Sequence, residues 1–263
     1  MSLLGFDKND LRFILSLWRM SLADRYLGSA LGGTWAILNP LLMFALFTFV
    51  FGFVFKARLP GADSTLAYSI WLICGFGPWL ANTEALTAAA NSIISNSGLV
   101  KNMSFKTEVL PIASTMLGLI PLTVSIIFIL GLQLVAGYGW NWSLVWLPFV
   151  VLVQFIFLAA LGVMVAVITT FVRDFGIVLP NLLMILLFAT PIFYPIEAVP
   201  SIVQGLIGFN PIYIIASAYR AVLLGEQVVP LFPLFSLALF SFGLLTFSLA
   251  VFRRVKGFFP AVV

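Results

Sequence analysis

The sequence has 263 residues but no histidine and only one cysteine, Cys74. The absence of histidine removes the residue on which many acid–base and nucleophilic catalytic arrangements depend. A single cysteine in an apolar segment excludes an internal disulfide framework and provides no metal-ligand spacing. Charged residues are also scarce, at 8% of the chain. These deficits exclude many soluble catalytic and metal-binding classes.

Several informative motifs are missing as well. No GxxxxGK[ST] sequence is present, so the chain cannot bind nucleotide phosphates in a P-loop. The carboxylates are too dispersed for a glycosidase pair, and a scattered net charge of +4 is too small for nucleic-acid binding. The N-terminus lacks the charge order and cleavage site of a signal peptide. We therefore expect no catalytic residues, and no cofactor, metal or nucleic acid bound by this chain.

What remains is strongly apolar. Hydrophobic residues make up 62% of the chain, 27 residues are phenylalanine, and the mean hydropathy is +1.17. A membrane-spanning helix needs about 20 apolar residues. The sequence therefore predicts an all-α integral membrane protein with six transmembrane helices in a single domain, residues 1–263.

The six predicted spans cover residues 34–55, 66–90, 109–135, 146–172, 177–193 and 231–252. Residues 7–27, within an N-terminal segment 1–30, are more polar. There Leu11, Ile14, Leu15, Trp18 and Leu22 recur at helical spacing, while arginines occupy other faces. This pattern predicts an amphipathic helix that lies in the membrane interface.

The distribution of Lys and Arg predicts the orientation. Six spans put both termini on one side, and ten of the 13 cationic residues then fall on that side. These are Lys8, Arg12, Arg19, Arg25, Lys101, Lys106, Arg173, Arg253, Arg254 and Lys256. Because cytoplasmic segments carry the excess of positive charge, both termini are expected in the cytoplasm.

Four prolines interrupt the apolar sequence from the end of the fifth span onward, at Pro191, Pro195, Pro200 and Pro211. Two apolar segments follow the last two prolines: residues 201–208 lie between Pro200 and Pro211, and residues 211–224 begin at Pro211. At about 1.5 Å per residue, neither is long enough to cross a hydrocarbon core of about 30 Å. The sequence therefore predicts a re-entrant helix pair between spans 5 and 6, within residues 194–226 at the periplasmic face. Broken backbone at membrane depth is tolerated where it is buried in protein or lines a watery cavity.

The second short helix has clear boundary signals. Asn210 can cap it, Pro211 suits its first position, and Gly225 falls just past its end. Tyr213, Ser217 and Arg220 share one face of the helix. Arg220 either extends to lipid head groups or faces a pore or gate, since an arginine at membrane depth needs a partner or water.

Several segments resemble the permeases of polysaccharide ABC exporters, and they occur in the family's order. They are residues 25–32 (RYLGSALG), 35–41 (WAILNPL), 75–79 (GFGPW), 173–174 (RD), 190–195 (TPIFYP), 210–211 (NP), 219–220 (YR) and 224–225 (LG). One departure is the family's Leu/Phe-Pro-Trp element, which here reads Gly77-Pro78-Trp79. The chain is most similar to the O-antigen permeases of this family; permeases for capsule and teichoic acid are near relatives.

The resemblance implies a homodimer in the bacterial inner membrane, in contact with membrane lipids and with two copies of a separate ATPase. ATP and Mg would bind to that ATPase. The substrate would be a polyprenyl-diphosphate-linked polysaccharide. The alternatives are a related permease for a drug, a lipid, or a teichoic-acid or capsule polymer. A self-sufficient channel or secondary transporter is a further alternative, although the lack of paired charges within the spans argues against it.

The resemblance also suggests roles for charged residues. Residues 91–108 would include the cytoplasmic coupling segment that docks on the ATPase, with Lys101 and Lys106 in contact; a solvated loop is the alternative. Arg12, Arg19 and Arg25 would bind the diphosphate head group, for which the fixed fork of arginine donors is suited. Anchoring to any anionic lipid is an equally open interpretation of these arginines.

The aromatic residues suit a sugar channel, because flat rings pack against sugar faces and permit sliding. The channel candidates are Trp35, Phe44, Phe47, Phe51, Phe76 and Trp79. The candidates for a periplasmic gate are Phe193, Tyr194, Tyr213, Tyr219 and Arg220. For each channel candidate, packing against lipid or in a dimer interface remains the alternative.

Overall fold

The computed structural model of the protein describes residues 5–56, 64–102, 105–137, 139, 141–225 and 228–262. Three predicted segments, 1–30, 91–108 and 194–226, extend beyond the described residues. Their residues 1–4, 103–104 and 226 lie outside the described part of the chain. The regular elements in the described ranges are all helical. The α-helices are α1 (Lys8–Tyr26), α2 (Trp35–Phe47), α3 (Thr65–Ser95), α4 (Ser97–Asn102), α5 (Val109–Thr115), α6 (Leu119–Val135), α7 (Leu147–Phe171), α8 (Arg173–Ala189), α9 (Ser201–Ile207), α10 (Pro211–Leu224), α11 (Leu231–Val255) and α12 (Phe259–Val262).

Four helical stretches in the described part of the chain are long and apolar enough to cross a membrane. They are Gly32–Val54, Val109–Val135, Trp142–Phe171 and Leu231–Val262. The pair α9 and α10, bent by 85°, adds a fifth if it counts as one broken span. The other two predicted spans are also helices, but α3 is polar along part of its 31 residues and α8 has only 17 residues. The all-helical membrane class is therefore confirmed, with four or five spans by length and composition.

The polarity of α3 follows from its position at the centre of the fold. It packs against α2, α5, α6, α7, α8 and α10, and most of its side chains from Tyr68 to Ile93 are buried. A helix surrounded by protein does not need the continuous apolar surface that lipid requires. Its many small residues also allow close helix contacts, as is usual in membrane bundles.

A buried hydrogen-bond network joins α3 to α7 and α10. The Gln154 side-chain amide donates to the Pro78 carbonyl at 3.0 Å and to Asn82 Oδ1 at 2.7 Å. The Tyr219 hydroxyl donates to Gln154 Oε1 at 2.7 Å. Because these polar groups satisfy one another, burying them does not leave unpaired donors or acceptors. The network fixes α10 against the centre of the fold.

Ion pairs gather at one end of the molecule, which we call the charged end: Asp7, Asp10, Lys106, Glu108, Arg253 and Lys256. Lys106 Nζ lies 2.6 Å from Asp10 Oδ2 and donates to the Gly5 carbonyl at 2.9 Å. Glu108 accepts from Arg253 at 3.0 Å and from Lys256 at 3.3 Å. The start of α5 is thereby tied to both the N-terminal helix and the end of α11.

Several helix limits differ from the predicted ones. Helix α3 continues to Ser95, so the predicted coupling segment 91–108 begins inside a long helix before the short α4. Helix α8 ends at Ala189 rather than at residue 193. The second difference has a local cause, because the residue before a proline avoids helical geometry, and Thr190 before Pro191 is extended. The predicted interface helix is observed as Lys8–Tyr26, close to its expected limits.

The Glu108 ion pairs make a testable contribution to stability. Burial of the Glu108 carboxyl opposes its ionisation, but hydrogen bonds from its own backbone, Arg253 and Lys256 outweigh burial and hold its pKa below the usual range. A lowered folded-state pKa stabilises the protein at neutral pH, and this contribution is lost as the pH falls through that pKa, below about pH 4.

We expect Glu108→Ala to lower the free energy of unfolding by about 1–2 kcal/mol at pH 7, because two cations lose a buried partner. The difference from wild type should shrink in acid. Thermal unfolding of the purified protein in detergent at pH 7 and at about pH 3 measures both effects, because the contribution is lost only below about pH 4. Asp24→Asn, which removes an exposed carboxylate on α1, is the control. Equal melting temperatures for Glu108→Ala and wild type at pH 7 would contradict this role.

Candidate functional site

The predicted helix pair is present with nearly the expected limits, Ser201–Ile207 and Pro211–Leu224. We call α9 and α10 the hairpin. The Asn210 side-chain oxygen accepts from the Ile212 amide at 2.9 Å, and Gly225 ends α10 in the left-handed conformation with φ of +72°. The Asn210 amide also donates to Thr190 Oγ1 at 3.0 Å. The predicted cap, first-position proline and C-terminal glycine are all confirmed.

Arg220 of the hairpin is buried, with 7% of its surface exposed. Its guanidinium donates to the carbonyls of Pro191 at 3.1 Å and Ile192 at 2.8 Å. The interpretation that Arg220 extends to lipid head groups is therefore wrong. The side chain instead turns inward, because the carbonyls of the proline turn, residues 190–195, provide the partners that an arginine at this depth needs.

Two residues of α3 complete the environment of Arg220. Its Cζ lies 3.6 Å from the ring centroid of Trp71, a close cation–π contact. The guanidinium also passes close to Gly75, where an added Cβ would lie 2.6 Å from Arg220 Nη2. A side chain at position 75 would force the guanidinium to shift. The arginine thus fixes the hairpin, the proline turn and α3 to one another.

Four of the channel candidates and one gate candidate form what we call the aromatic cluster: Phe44, Phe47, Phe51, Phe76 and Phe193. The Phe193 ring stacks on those of Phe47 and Phe51, each with a centroid distance of 4.8 Å. Phe47 and Phe76 meet at 4.6 Å, and Phe44 and Phe76 at 6.2 Å. The proline turn is therefore anchored in rings from α2, α3 and the π-helical segment Thr48–Val54 that continues α2.

Burial separates the aromatic candidates into two groups. Phe44, Phe76 and Trp79 are at most 3% exposed. In the described conformation they pack inside the chain and expose almost no surface to which a sugar could bind. Phe47, Phe51 and Trp35 are half-buried, so a lining role for them stays a prediction.

The gate candidates are also divided. Tyr219 and Phe193 are buried and act as packing and hydrogen-bonding groups, whereas Tyr194 and Tyr213 are half-buried. The Tyr194 hydroxyl donates to the Phe188 carbonyl at 2.8 Å, which ties the proline turn back to the end of α8. Tyr194 and Tyr213 are the gate candidates with accessible surface.

The structure brings Arg19 and Arg25, but not Arg12, to two adjoining cavities. Arg25 lines a cavity of about 270 Å³ and forms a two-pronged ion pair with Glu84 of α3. Arg19 lines a second cavity of about 400 Å³, and Tyr26 contributes to both. Arg12 is exposed on α1 and lines neither cavity.

The two coupling candidates have different environments. Lys101 is exposed at the end of α4. Lys106 is held by Asp10 and the Gly5 carbonyl of the same chain, and the ion pair with Asp10 raises the pKa of Lys106 above its usual value. Lys106 is therefore engaged within the chain, whereas Lys101 is accessible, and a coupling role for either lysine stays a prediction.

Sequence reasoning missed four polar residues that organise the site. Glu84 of α3 is the partner of Arg25. Gln154 links α3 to Tyr219, and Gln133 and Asn141 donate to the carbonyls of Leu223 and Val222 at the end of α10. The available signal was that Gln133 and Gln154 are isolated amides in otherwise apolar helices, where polar residues usually have a specific partner.

The Arg220 contacts predict a change in local opening. Replacing the arginine in Arg220→Gln removes two charged hydrogen bonds, so amide hydrogen exchange in the proline turn should become at least about tenfold faster. Hydrogen-exchange mass spectrometry of the purified protein measures this. Arg254→Gln, which removes an exposed arginine at the other end of the molecule, should leave that exchange unchanged. Unaltered exchange in Arg220→Gln would mean that the aromatic cluster alone holds the turn.

Comparison with known proteins agrees with this architecture. Residues 12–224 match the ABC-2 type transporter family. The O-antigen export system permease protein RfbA of Myxococcus xanthus is 28% identical over 242 residues, which covers 91% of each chain. The protein of the same name from Klebsiella pneumoniae is 26% identical over 245 residues, 91% of this chain and 90% of the relative. Since the family match extends over most of the sequence and includes the hairpin and both cavities, the chain belongs to the ABC-2 type transporter family.

Proposed function

We propose that the chain is the transmembrane subunit of an ABC exporter that moves a polyprenyl-diphosphate-linked, O-antigen-like polysaccharide across the bacterial inner membrane. Two copies of the chain would form the passage. A separate ATPase, also present in two copies, would bind ATP and Mg and supply the energy. The chain itself would carry out no chemical step.

Similarity along almost the whole chain is the main support. The relatives named as O-antigen export permeases match over 91% of this sequence and at least 90% of their own lengths. Such coverage means that most of this chain has a counterpart in proteins of that name. A general membrane bundle would share apolar composition but not this order of segments.

Six membrane crossings are the topology that we propose, with α3 and α8 counted as spans. Near the start of α3, the Tyr68 hydroxyl donates to the carbonyl of Phe193, beside the hairpin. Near the end of α3, Asn91 lies beside Gly176 at the start of α8, where Arg173 donates to the Val262 carbonyl. Both helices therefore connect the charged end with the hairpin. At about 1.5 Å per residue, α8 is about 26 Å long, close to one hydrocarbon thickness.

The charged end would be cytoplasmic and the hairpin periplasmic. Four cations form hydrogen bonds at that end: Lys106, Arg173, Arg253 and Lys256. The positive-inside rule assigns such a concentration of Lys and Arg to the cytoplasmic side. Arg220, a cation assigned to the opposite side, is stabilised by backbone carbonyls and an aromatic ring.

Pairing of two chains is proposed because large apolar faces remain uncovered. In α8, Leu179, Leu183 and Leu187 are buried, whereas Ile177 and Ile185 on the other side are exposed. Exposed phenylalanines also lie just after α2, at Phe49, Phe53 and Phe55, and along the length of α11. Lipid tails and a second protomer are the two environments in which such surfaces are stable. The polysaccharide passage would lie between protomers.

Deletion of the gene tests the proposed function. Because assembly of the lipid-linked glycan precedes export, the deletion strain should accumulate that glycan inside the cell and lose it from the surface. Immunoblotting of surface glycan and extraction of lipid-linked sugars provide the measurement, with the wild-type gene on a plasmid as the control. Normal surface glycan in the deletion strain, or altered sensitivity to drugs alone, would contradict the proposal.

The two lysines near α4 should respond differently to charge reversal. Lys101→Glu should lower the glycan-stimulated ATPase rate of the complex severalfold without changing thermal stability, because Lys101 is exposed. Lys106→Glu should instead destabilise the chain, since it places three carboxylates together.

The charge swap that combines Lys106→Glu with Asp10→Lys restores the opposite-charge pair and should recover much of the lost stability. Melting temperature and ATPase rate, measured on the same preparations, separate the two roles. An unchanged ATPase rate in Lys101→Glu would remove Lys101 from the coupling surface.

A further inference from the structure

The short helix α4 is too small to be stable by itself. It has six residues, Ser97–Asn102, whereas isolated helices of fewer than about 12 residues are marginal in water. Val100 is buried and Leu99 is half-buried, while Lys101 and Asn102 are exposed. The position of the exposed residues of α4 therefore depends on what Val100 packs against.

The support of α4 comes from α12, which lies far away in the sequence. Helix α4 contacts α12 as well as its neighbour α3. The side chains of Val100 and Phe259 belong to one buried apolar cluster, together with Phe252 near the end of α11. The residues of α12 belong to none of the candidate sites described above. The helix expected to dock on the ATPase is thus supported by a segment with no assigned role.

Phe259 anchors α12 in the molecule. It is completely buried, with 0% of its surface exposed. Its ring meets that of Phe252 edge-on, with a centroid distance of 5.1 Å, and that of Phe171 at 5.9 Å. The preceding residue, Phe258, has 64% of its surface exposed. Two adjacent phenylalanines thus have opposite environments, and Phe259 is the one that holds α12 in place.

Polar contacts attach both ends of the segment formed by residues 256–262. Lys256, in the turn before α12, donates to Glu108 Oε2 at 3.3 Å, and Glu108 is the N-cap of α5. At the other end, Arg173 Nη2 donates to the Val262 carbonyl at 3.1 Å, and Arg173 is the first residue of α8. The segment therefore connects α4 with the starts of α5 and α8.

We propose that α12 is the positioning element of the ATPase docking surface: it holds α4 in the orientation in which the partner ATPase binds it. Phe259 is the positioning residue of this element. It acts through α4, because a completely buried side chain cannot itself contact a partner. The docking role of α4 rests on the proposed function, whereas the packing of α4 against α12 is independent of it.

Hydrogen exchange of the chain alone tests the first part of the proposal. The purified protein is placed in phosphatidylcholine nanodiscs, and mass spectrometry follows exchange at the amides of Leu99 and Val100, which donate to the Asn96 carbonyl. Phe259→Ala leaves a cavity in the cluster that supports α4, so this exchange should become at least about tenfold faster. Phe258→Ala removes an exposed ring of the same type from the adjacent position. It is the matched control and should exchange as wild type does. Unchanged exchange in Phe259→Ala would overturn the role of α12.

Two further measurements separate a local effect from a general loss of folding. Phe259→Leu keeps most of the apolar volume and should return exchange in α4 to within about threefold of wild type. Exchange in α10, at the opposite end of the molecule, should be unaltered in all three variants. Acceleration throughout the chain, or equal acceleration in Phe258→Ala and Phe259→Ala, would overturn the positioning role of Phe259.

Binding of the purified ATPase subunit tests the second part. If α4 must be in position before the ATPase binds, a smaller population of positioned α4 weakens the apparent affinity in proportion. Biolayer interferometry on the nanodisc-embedded chain should therefore show at least about fivefold weaker binding by Phe259→Ala. Phe258→Ala should bind as wild type does, and Phe259→Leu should recover most of the affinity.

The possible failures are distinguishable. Wild-type affinity in Phe259→Ala, despite faster exchange in α4, would overturn the docking part of this proposal while leaving the exporter function intact. Absence of ATPase binding by the wild-type chain would instead contradict the proposed function, as would normal surface glycan in the deletion strain.

Discussion

A polar helix at membrane depth must be enclosed by protein, and this requirement organises the fold. Helix α3 carries Asn82, Glu84 and several hydroxyl groups through the centre of the bundle. Gln154 satisfies Asn82, and Arg25 neutralises Glu84. Helices from both halves of the sequence therefore surround α3, and α1 and α7 supply the polar partners that lipid cannot provide.

Contacts around α3 also connect two candidate regions of the molecule, the Arg25–Glu84 pair and the hairpin. Toward the charged end, α1 lies along α5 and contributes Arg25 to the pair with Glu84. Toward the hairpin, Tyr219 and Arg220 of α10 meet Gln154, Trp71 and the carbonyls of the proline turn. A displacement of α3 would disturb contacts at both regions, since this single rigid helix of 31 residues carries both sets.

Local signals in the sequence were sufficient for the helices and for the hairpin. The start and end of α10 are set locally by Asn210, Pro211 and Gly225. Such local effects can be predicted without tertiary information. The ion pairs could not be predicted in this way. Arg25 and Glu84 are 59 residues apart, and Lys106 and Asp10 are 96 apart, so their pairing depends on how the helices pack. The direction of Arg220 likewise depends on a turn outside its own helix, and the resemblance to a family identified the residue but not its contacts.

The dependence of the proline turn on Arg220 also has a consequence for the order of assembly in the membrane. The carbonyls of Pro191 and Ile192 receive their hydrogen bonds from a side chain 29 and 28 residues later in the chain. When α8 leaves the insertion machinery, those acceptors have no protein donor, and hydrocarbon offers none. The end of α8 must therefore stay hydrated or in contact with the insertion machinery until α10 is synthesised and docks beside Trp71.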